Sequence, residues 1–214
     1  PRDMKCCGVP HAANGKVESA RDLMIQNLKV FNSLNLDYIV TDCGSCSSAL
    51  SEESLKLLLV DQGYDEEIEK FCSRLYDLNK FLLEVLEISP RELSSLDMKV
   101  TYHDPCHLAK AQGIRREPRE ILRMIPGLEL VEMEDSERCC GGSGTFSMTH
   151  YDLSMKVLGK KMDSIARTGA NVIATCCPSC TMQLKHGTNL YGYAAPVKHP
   201  VELLAESGTQ FRQQ

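Results

Sequence analysis

Nine of the eleven cysteines in this 214-residue chain fall into groups whose spacing suits metal ligation. One set runs Cys106, then 32 residues, then Cys139-Cys140-Gly141, then 35 residues, then Cys177-Pro178-Ser179-Cys180. The other runs Cys6-Cys7-Gly8, then 34 residues, then Cys43-Gly44-Ser45-Cys46. A Cys-x-x-Cys brings two sulfurs to one metal centre within a single turn of backbone. At the start of a helix, free N–H groups and the dipole also favour thiolate. Pro178 can fix φ there without losing a needed donor, and Gly44 lets the backbone come close to an inorganic atom. The vicinal pairs are more selective. Two adjacent cysteines on one tetrahedral zinc would close a tight ring, so structural zinc sites use spaced pairs. Adjacent thiolates serve two neighbouring metal atoms more readily, and a polynuclear iron–sulfur cluster supplies such neighbours. Gly8 and Gly141-Gly142 are expected to leave room for cluster sulfide beside the chain.

Other residues compete less well for a role at metal. Cys72 lies on the apolar face of an expected helix, and Cys176 points away from Cys177 along an expected strand. Both read as buried structural thiols. His103 and His107 flank Cys106. Five thiolates already converge there, so N–H donation to a cluster sulfur, or a helix-capping role, is expected ahead of ligation. His199 reads as the start of the last helix, before Pro200. Arg115, Arg116 and Arg119, interrupted by Glu117 and Glu120, read as a solvated helix face.

Composition sets the compartment and excludes some partners. A net charge of -5 argues against a nucleic-acid surface. The apolar runs fall short of the ~20 residues a membrane span needs, and no signal peptide is visible. The unpaired sum of eleven cysteines without an export signal fits metal or redox chemistry in a reducing cytoplasm better than a disulfide framework. The chain opens at Pro1, directly before a cysteine motif, as a piece of a longer polypeptide would.

The elements that must position these cysteines occur twice. Cys7 and Cys140 are 133 residues apart, and Cys43 and Cys177 are 134 apart, so the chain reads as a duplication. Val17, Ala20, Met24, Leu28 and Phe31 recur at helical spacing, as do Met155, Leu158, Met162 and Ile165. Each helix leads to a β-prone run, 38–41 or 172–175, which enters the Cys-x-x-Cys; a second helix follows, over 47–60 or 181–186. Further strands are expected at 100–103 and 128–131, with a linking helix over 65–86 that ends before Ser89-Pro90. The expected fold is α/β, with two tandem pseudo-repeated domains at 1–90 and 91–214. Each is a small parallel sheet flanked by helices, with its ligands at the strands' carboxyl ends. The first-half counterpart of Cys106 would fall about 27 residues before Pro1.

The pattern Cys, thirty-odd residues, Cys-Cys-Gly, thirty-odd residues, Cys-x-x-Cys resembles the cysteine-rich CCG domain over nearly the whole chain. That domain occurs twice in the disulfide-reducing polypeptide of heterodisulfide reductase and in the iron–sulfur subunits of glycolate oxidase and respiratory lactate dehydrogenases. Tyr102-His103-Asp104-Pro105-Cys106-His107, the segment 139–146 and the ending 197–204 are most similar to the glycolate and lactate branch. The resemblance implies a noncubane [4Fe-4S] cluster held by Cys106, Cys139, Cys140, Cys177 and Cys180. At Cys6, Cys7, Cys43 and Cys46 it leaves an iron–sulfur cluster or zinc open. It further implies an FAD-containing dehydrogenase subunit, a ferredoxin-like domain or subunit with cubane clusters, and an electron acceptor at the inner face of the membrane. No dinucleotide fingerprint is present in this chain, since Gly141-Gly142-Ser143-Gly144 does not match one.

The leading expectation is therefore an electron-transfer subunit of a flavin-linked glycolate or lactate dehydrogenase, passing electrons from flavin to a quinone or other carrier. The alternative is a cluster-based disulfide reductase resembling heterodisulfide reductase. A zinc-stabilised interaction module and a Cys-x-x-Cys dithiol oxidoreductase are weaker, the last because no thioredoxin-like order of elements surrounds the motif.

Overall fold

The computed structural model describes residues 1–209. The chain divides into two compact units, Pro1–Leu78 and the part from Asn79 onward. That division precedes the expected one at residues 90 and 91. The segment after Leu78 packs with the second unit, where the Asn79 amide donates to Cys176 Sγ at 3.5 Å.

In the first unit, α1 (Val9–Ala13) and α2 (Val17–Ser33) precede β1 (Ile39–Thr41). Then come α3 (Gly44–Ala49), α4 (Glu52–Leu58), α5 (Asp65–Cys72) and β2 (Leu75–Asp77). β1 and β2 pair in parallel, with Ile39 opposite Leu75 and Thr41 opposite Asp77. The apolar stripe of α2 (Met24, Leu28, Phe31) packs with Leu55, Ile68 and Phe71, and the Phe31 and Phe71 rings lie 5.5 Å apart. Two expected helices are interrupted. The one over 47–60 breaks because Ser51 caps α4, its hydroxyl accepting from the Ser54 amide at 3.4 Å. The linking helix over 65–86 is two helices around β2, because Leu75–Asp77 satisfies its backbone against β1.

The second unit contains α6 (Leu78–Glu84, its first residue closing the first unit), β3 (Met98–Tyr102), α7 (Cys106–Ala109) and α8 (Arg116–Met124). They are followed by β4 (Leu128–Leu130), α9 (Phe146–Thr149), α10 (Tyr151–Thr168) and β5 (Val172–Ala174). α11 (Pro178–Leu190), β6 (Val197–Lys198) and α12 (Pro200–Thr209) complete it. Its sheet is parallel throughout, in the order β4-β3-β5-β6. One core gathers Leu158, Met162, Ile173 and Leu184; the other gathers Val100, Tyr102, Leu122, Val172 and Leu203. The fold is thus α/β, with a small parallel sheet flanked by helices in each unit. α11 runs longer than expected, with Pro178 in its first turn. His199 begins α12 as expected: its Nδ1 accepts from the Val201 amide at 3.1 Å, and its own amide donates to Glu202 at 2.6 Å. Among the described residues, no helix is long and apolar enough to cross a membrane.

Candidate metal centre

Both Cys-x-x-Cys motifs occupy the same local context. Cys43 follows β1 and caps α3; Cys177 follows β5 and caps α11. The Cys46 amide donates to Cys43 Sγ at 3.4 Å. The residue after each motif secures the turn: Ser47 donates to the Cys43 carbonyl at 3.2 Å, and Thr181 to the Cys177 carbonyl at 3.1 Å. The strand pleat sorts the cysteines around β5. Val172, Ala174 and Cys176 enter one core, while Ile173 and Cys177 enter the other. Cys176 accepts from the Tyr102 hydroxyl at 3.4 Å, on the side away from Cys177.

The Cys-Cys-Gly glycines do a different job from the one expected. Both have positive φ, +84° at Gly8 and +91° at Gly141. A Cβ on Gly8 would stand 3.2 Å from the Ala20 carbonyl oxygen of α2; one on Gly141 would stand 2.7 Å from the Ser154 carbonyl oxygen of α10. A Cβ on Gly142 would likewise meet Gln183 Cβ of α11 at 2.8 Å. The room these residues leave is taken by helices, so it is not reserved for sulfide. A buried polar chain closes the second turn, with Gln183 donating to Ser154 at 3.0 Å and Ser154 to the Gly141 carbonyl at 2.8 Å.

The sulfurs of each set come together. In the first unit Cys46 is in hydrogen-bonding reach of both Cys43 and Cys7, and Cys7 also bonds Cys6. Bonding from the Cys46 thiol holds Cys7 down to about 6, although burial opposes it. Cys46, which donates to Cys43 and Cys7, is pushed far up. In the second unit Cys140 takes bonds from Cys139, Cys180 and His103, which hold it far below an ordinary thiol. Cys139 and Cys180, its donors, are pushed far up. Cys180 also bonds Cys177, and Cys106 lies in the same field, raised chiefly by burial. In each unit these bonds favour the thiolate form most at the second cysteine of Cys-Cys-Gly. Metal binding must displace the remaining protons.

These clustered soft thiols, with Cys106 and Cys177 at helix starts and the Gly141 amide donating to Cys139 Sγ at 3.3 Å, fit an iron–sulfur group. The first unit fits it less fully, since it brings four cysteines together. Cys72 stands apart: its thiol donates to the Leu50 carbonyl at 3.5 Å, and burial pushes it up to about 12.

Several supporting residues were not visible in the sequence reading. Lys161 is buried on α10, donating to the Asp135 carbonyl at 2.7 Å and the Ser136 carbonyl at 3.2 Å. Burial pulls it down to about 8, with the Cys140 charge opposing. Its place beside Leu158, Met162 and Ile165 in the apolar stripe was the signal. The residue 134 positions earlier is Asn27, which performs the matching clamp without a charge, accepting from the Lys5 amide at 2.8 Å and donating to the Cys6 carbonyl at 3.1 Å. The arginine run is only partly a solvated face. Arg119 is mostly buried and pairs through both terminal nitrogens with Asp104, at 2.8 and 2.7 Å.

Residues 1–51 and 100–185 match the family model CCG, described as a cysteine-rich domain. The chain is 33% identical over 210 residues to the probable glycolate oxidase iron-sulfur subunit of Bacillus subtilis, covering 97% of this chain and 47% of that protein. It is 31% identical over 205 residues to a subunit of the CoM/CoB fumarate reductase of Methanothermobacter marburgensis, covering 95% and 39%. It is 30% identical over 204 residues to the lactate utilization protein A of Geobacillus thermodenitrificans, covering 95% and 84%. The chain thus spans less than half the length of the first two relatives.

Proposed function

The chain belongs to the CCG cysteine-rich domain family, and on that premise we propose that it is the iron–sulfur electron-transfer part of a flavin-linked dehydrogenase for glycolate or lactate. The convergence of five cysteines and His103 at the carboxyl ends of β3 and β5 carries this reading. The names of the glycolate and lactate relatives support its direction.

Cys106, Cys139, Cys140, Cys177 and Cys180 hold a noncubane four-iron cluster in this reading. Cys6, Cys7, Cys43 and Cys46 hold a weaker iron–sulfur cluster or zinc. When bound, the cluster supplies one-electron storage. The chain's own groups prepare the place. Backbone amides donate to Cys43 and Cys139, the apolar core behind Cys177 and Cys180 keeps water out, and Lys161 sets a cation near Cys140. Cys139 is exposed and gives electrons a way in or out. A flavoprotein subunit, a ferredoxin-like domain or subunit with cubane clusters, and a quinone or other carrier at the cytoplasmic membrane face complete the path.

The test loads the chain anaerobically with iron and sulfide and mixes it with the flavoprotein partner. Adding glycolate or lactate should bleach the visible absorbance. A second reading, cluster-based disulfide reduction, is favoured by the exposure of Cys139. Reoxidation of the reduced chain by a disulfide, with no response to hydroxy acid, would replace the first reading by the second.

A further inference from the structure

His103 follows β3 directly and is 1% exposed. Its backbone amide donates to the Ala174 carbonyl at 2.9 Å, which continues the pairing of β3 with β5 and fixes where the ring begins. Its Nδ1 lies 3.2 Å from the Ser136 carbonyl oxygen. That oxygen also receives the Asp104 amide at 3.1 Å and the Lys161 ammonium at 3.2 Å. A carbonyl oxygen only accepts, so Nδ1 carries the hydrogen. Nε2 is then the nitrogen left for the bond between His103 and Cys140, and a metal ion held there would take the place of the proton between them. The ligand atoms of His103, Cys140 and Cys180 all lie within 4.8 Å of one another, and all three residues are buried.

These are the features of a metal-binding imidazole. Such a ring donates its other N–H to a carbonyl or carboxylate, which fixes tautomer and orientation and raises the basicity of the ligating nitrogen. We infer that His103 binds metal through Nε2 as a further ligand beside Cys140 and Cys180. A neutral nitrogen completes a metal atom without adding the negative charge a further thiolate would bring, and so keeps the reduction potential above that of an all-thiolate set. The inference rests on the proposed function in taking this site as the seat of the cluster, but its test does not need iron.

Anaerobic cobalt(II) titration of the metal-free chain supplies the test, beside separate loading with iron and sulfide. His103→Gln should weaken cobalt binding at one site by more than about 10-fold and shift the d–d bands. His103→Cys should recover the affinity and add sulfur-to-cobalt charge-transfer absorbance, which a purely positioning ring would not produce. Unchanged affinity and bands in His103→Gln, or no added charge-transfer in His103→Cys, would overturn the inference. Should His103→Gln fail to fold by circular dichroism, the His103→Cys arm decides. A chain that shows the cobalt pattern but holds no iron with sulfide would retire the cluster reading and keep the ligand. A chain that loads iron and sulfide but shows no cobalt response to either substitution would do the reverse.

Discussion

Asp104, 2% exposed at its side chain, lies two residues before Cys106 and depends on Arg119 for its charge. Arg119 also stacks over the Tyr102 ring, 4.9 Å from its centroid, and reaches Glu132 at 2.8 Å. Arg119→Ala would leave a buried carboxylate unpaired, so it should lower stability by about 3–5 kcal/mol in a denaturant titration. The pH dependence has a definite sign. Burial alone would push the Asp104 carboxyl up, yet the bonds from Arg119 and Ser136 outweigh it and hold it below the usual value. On acidification the unfolded chain takes this proton first. The pair's stabilisation is therefore present above the ordinary carboxylate range and is lost as pH falls through it. Arg119→Ala should lose that part of the acid limb. Cys72 makes the opposite prediction for chemistry at metal. Its thiol stays protonated at neutral pH, so iodoacetamide at pH 8 should leave it unmodified in the folded chain, and Cys72→Ala should leave metal content unchanged. Eight cysteines of the two candidate sites were legible because the repeat reproduces their spacing, and Cys106 was added by the family resemblance. Lys161, Asn27 and Ser136 were not, because their roles lie in backbone carbonyls and amides brought in by folding.

Helix–strand–Cys-x-x-Cys–helix was legible twice, since periodicity and length separate α2 and α10 from the short strands that follow. β2 was hidden. Ile68, Phe71, Cys72, Leu75, Leu78 and Leu82 continue a helical spacing, and only the pairing with β1 makes Leu75–Asp77 extended. The Cys-Cys-Gly turn is where helix and loop meet most tightly, and it gives the test at this scale. Gly141→Ala combines an unfavourable positive φ with a 2.7 Å approach to the backbone of α10. It should destabilise the second unit by about 2 kcal/mol or more in thermal or denaturant unfolding. Gly8→Ala should cost less, because its 3.2 Å contact asks the neighbour to give by only a few tenths of an ångström.

Across the whole chain, one architecture carries two unequal sites. The first gathers four cysteines with neutral Asn27 behind them; the second gathers five, with His103 in contact and Lys161 nearby. An iron short of a thiolate takes water or a small molecule and is open to oxidation and loss. Metal binding is also folding free energy, so the better-ligated unit should be the more strongly stabilised by loading. The direct measurement is iron and acid-labile sulfide per chain after anaerobic loading, in the unaltered chain, in Cys140→Ser and in Cys7→Ser. The account predicts a brown protein with both iron and sulfide, a loss of most of each in Cys140→Ser, and a small loss in Cys7→Ser. A colourless protein holding zinc without sulfide, or a larger loss from Cys7→Ser than from Cys140→Ser, would contradict it.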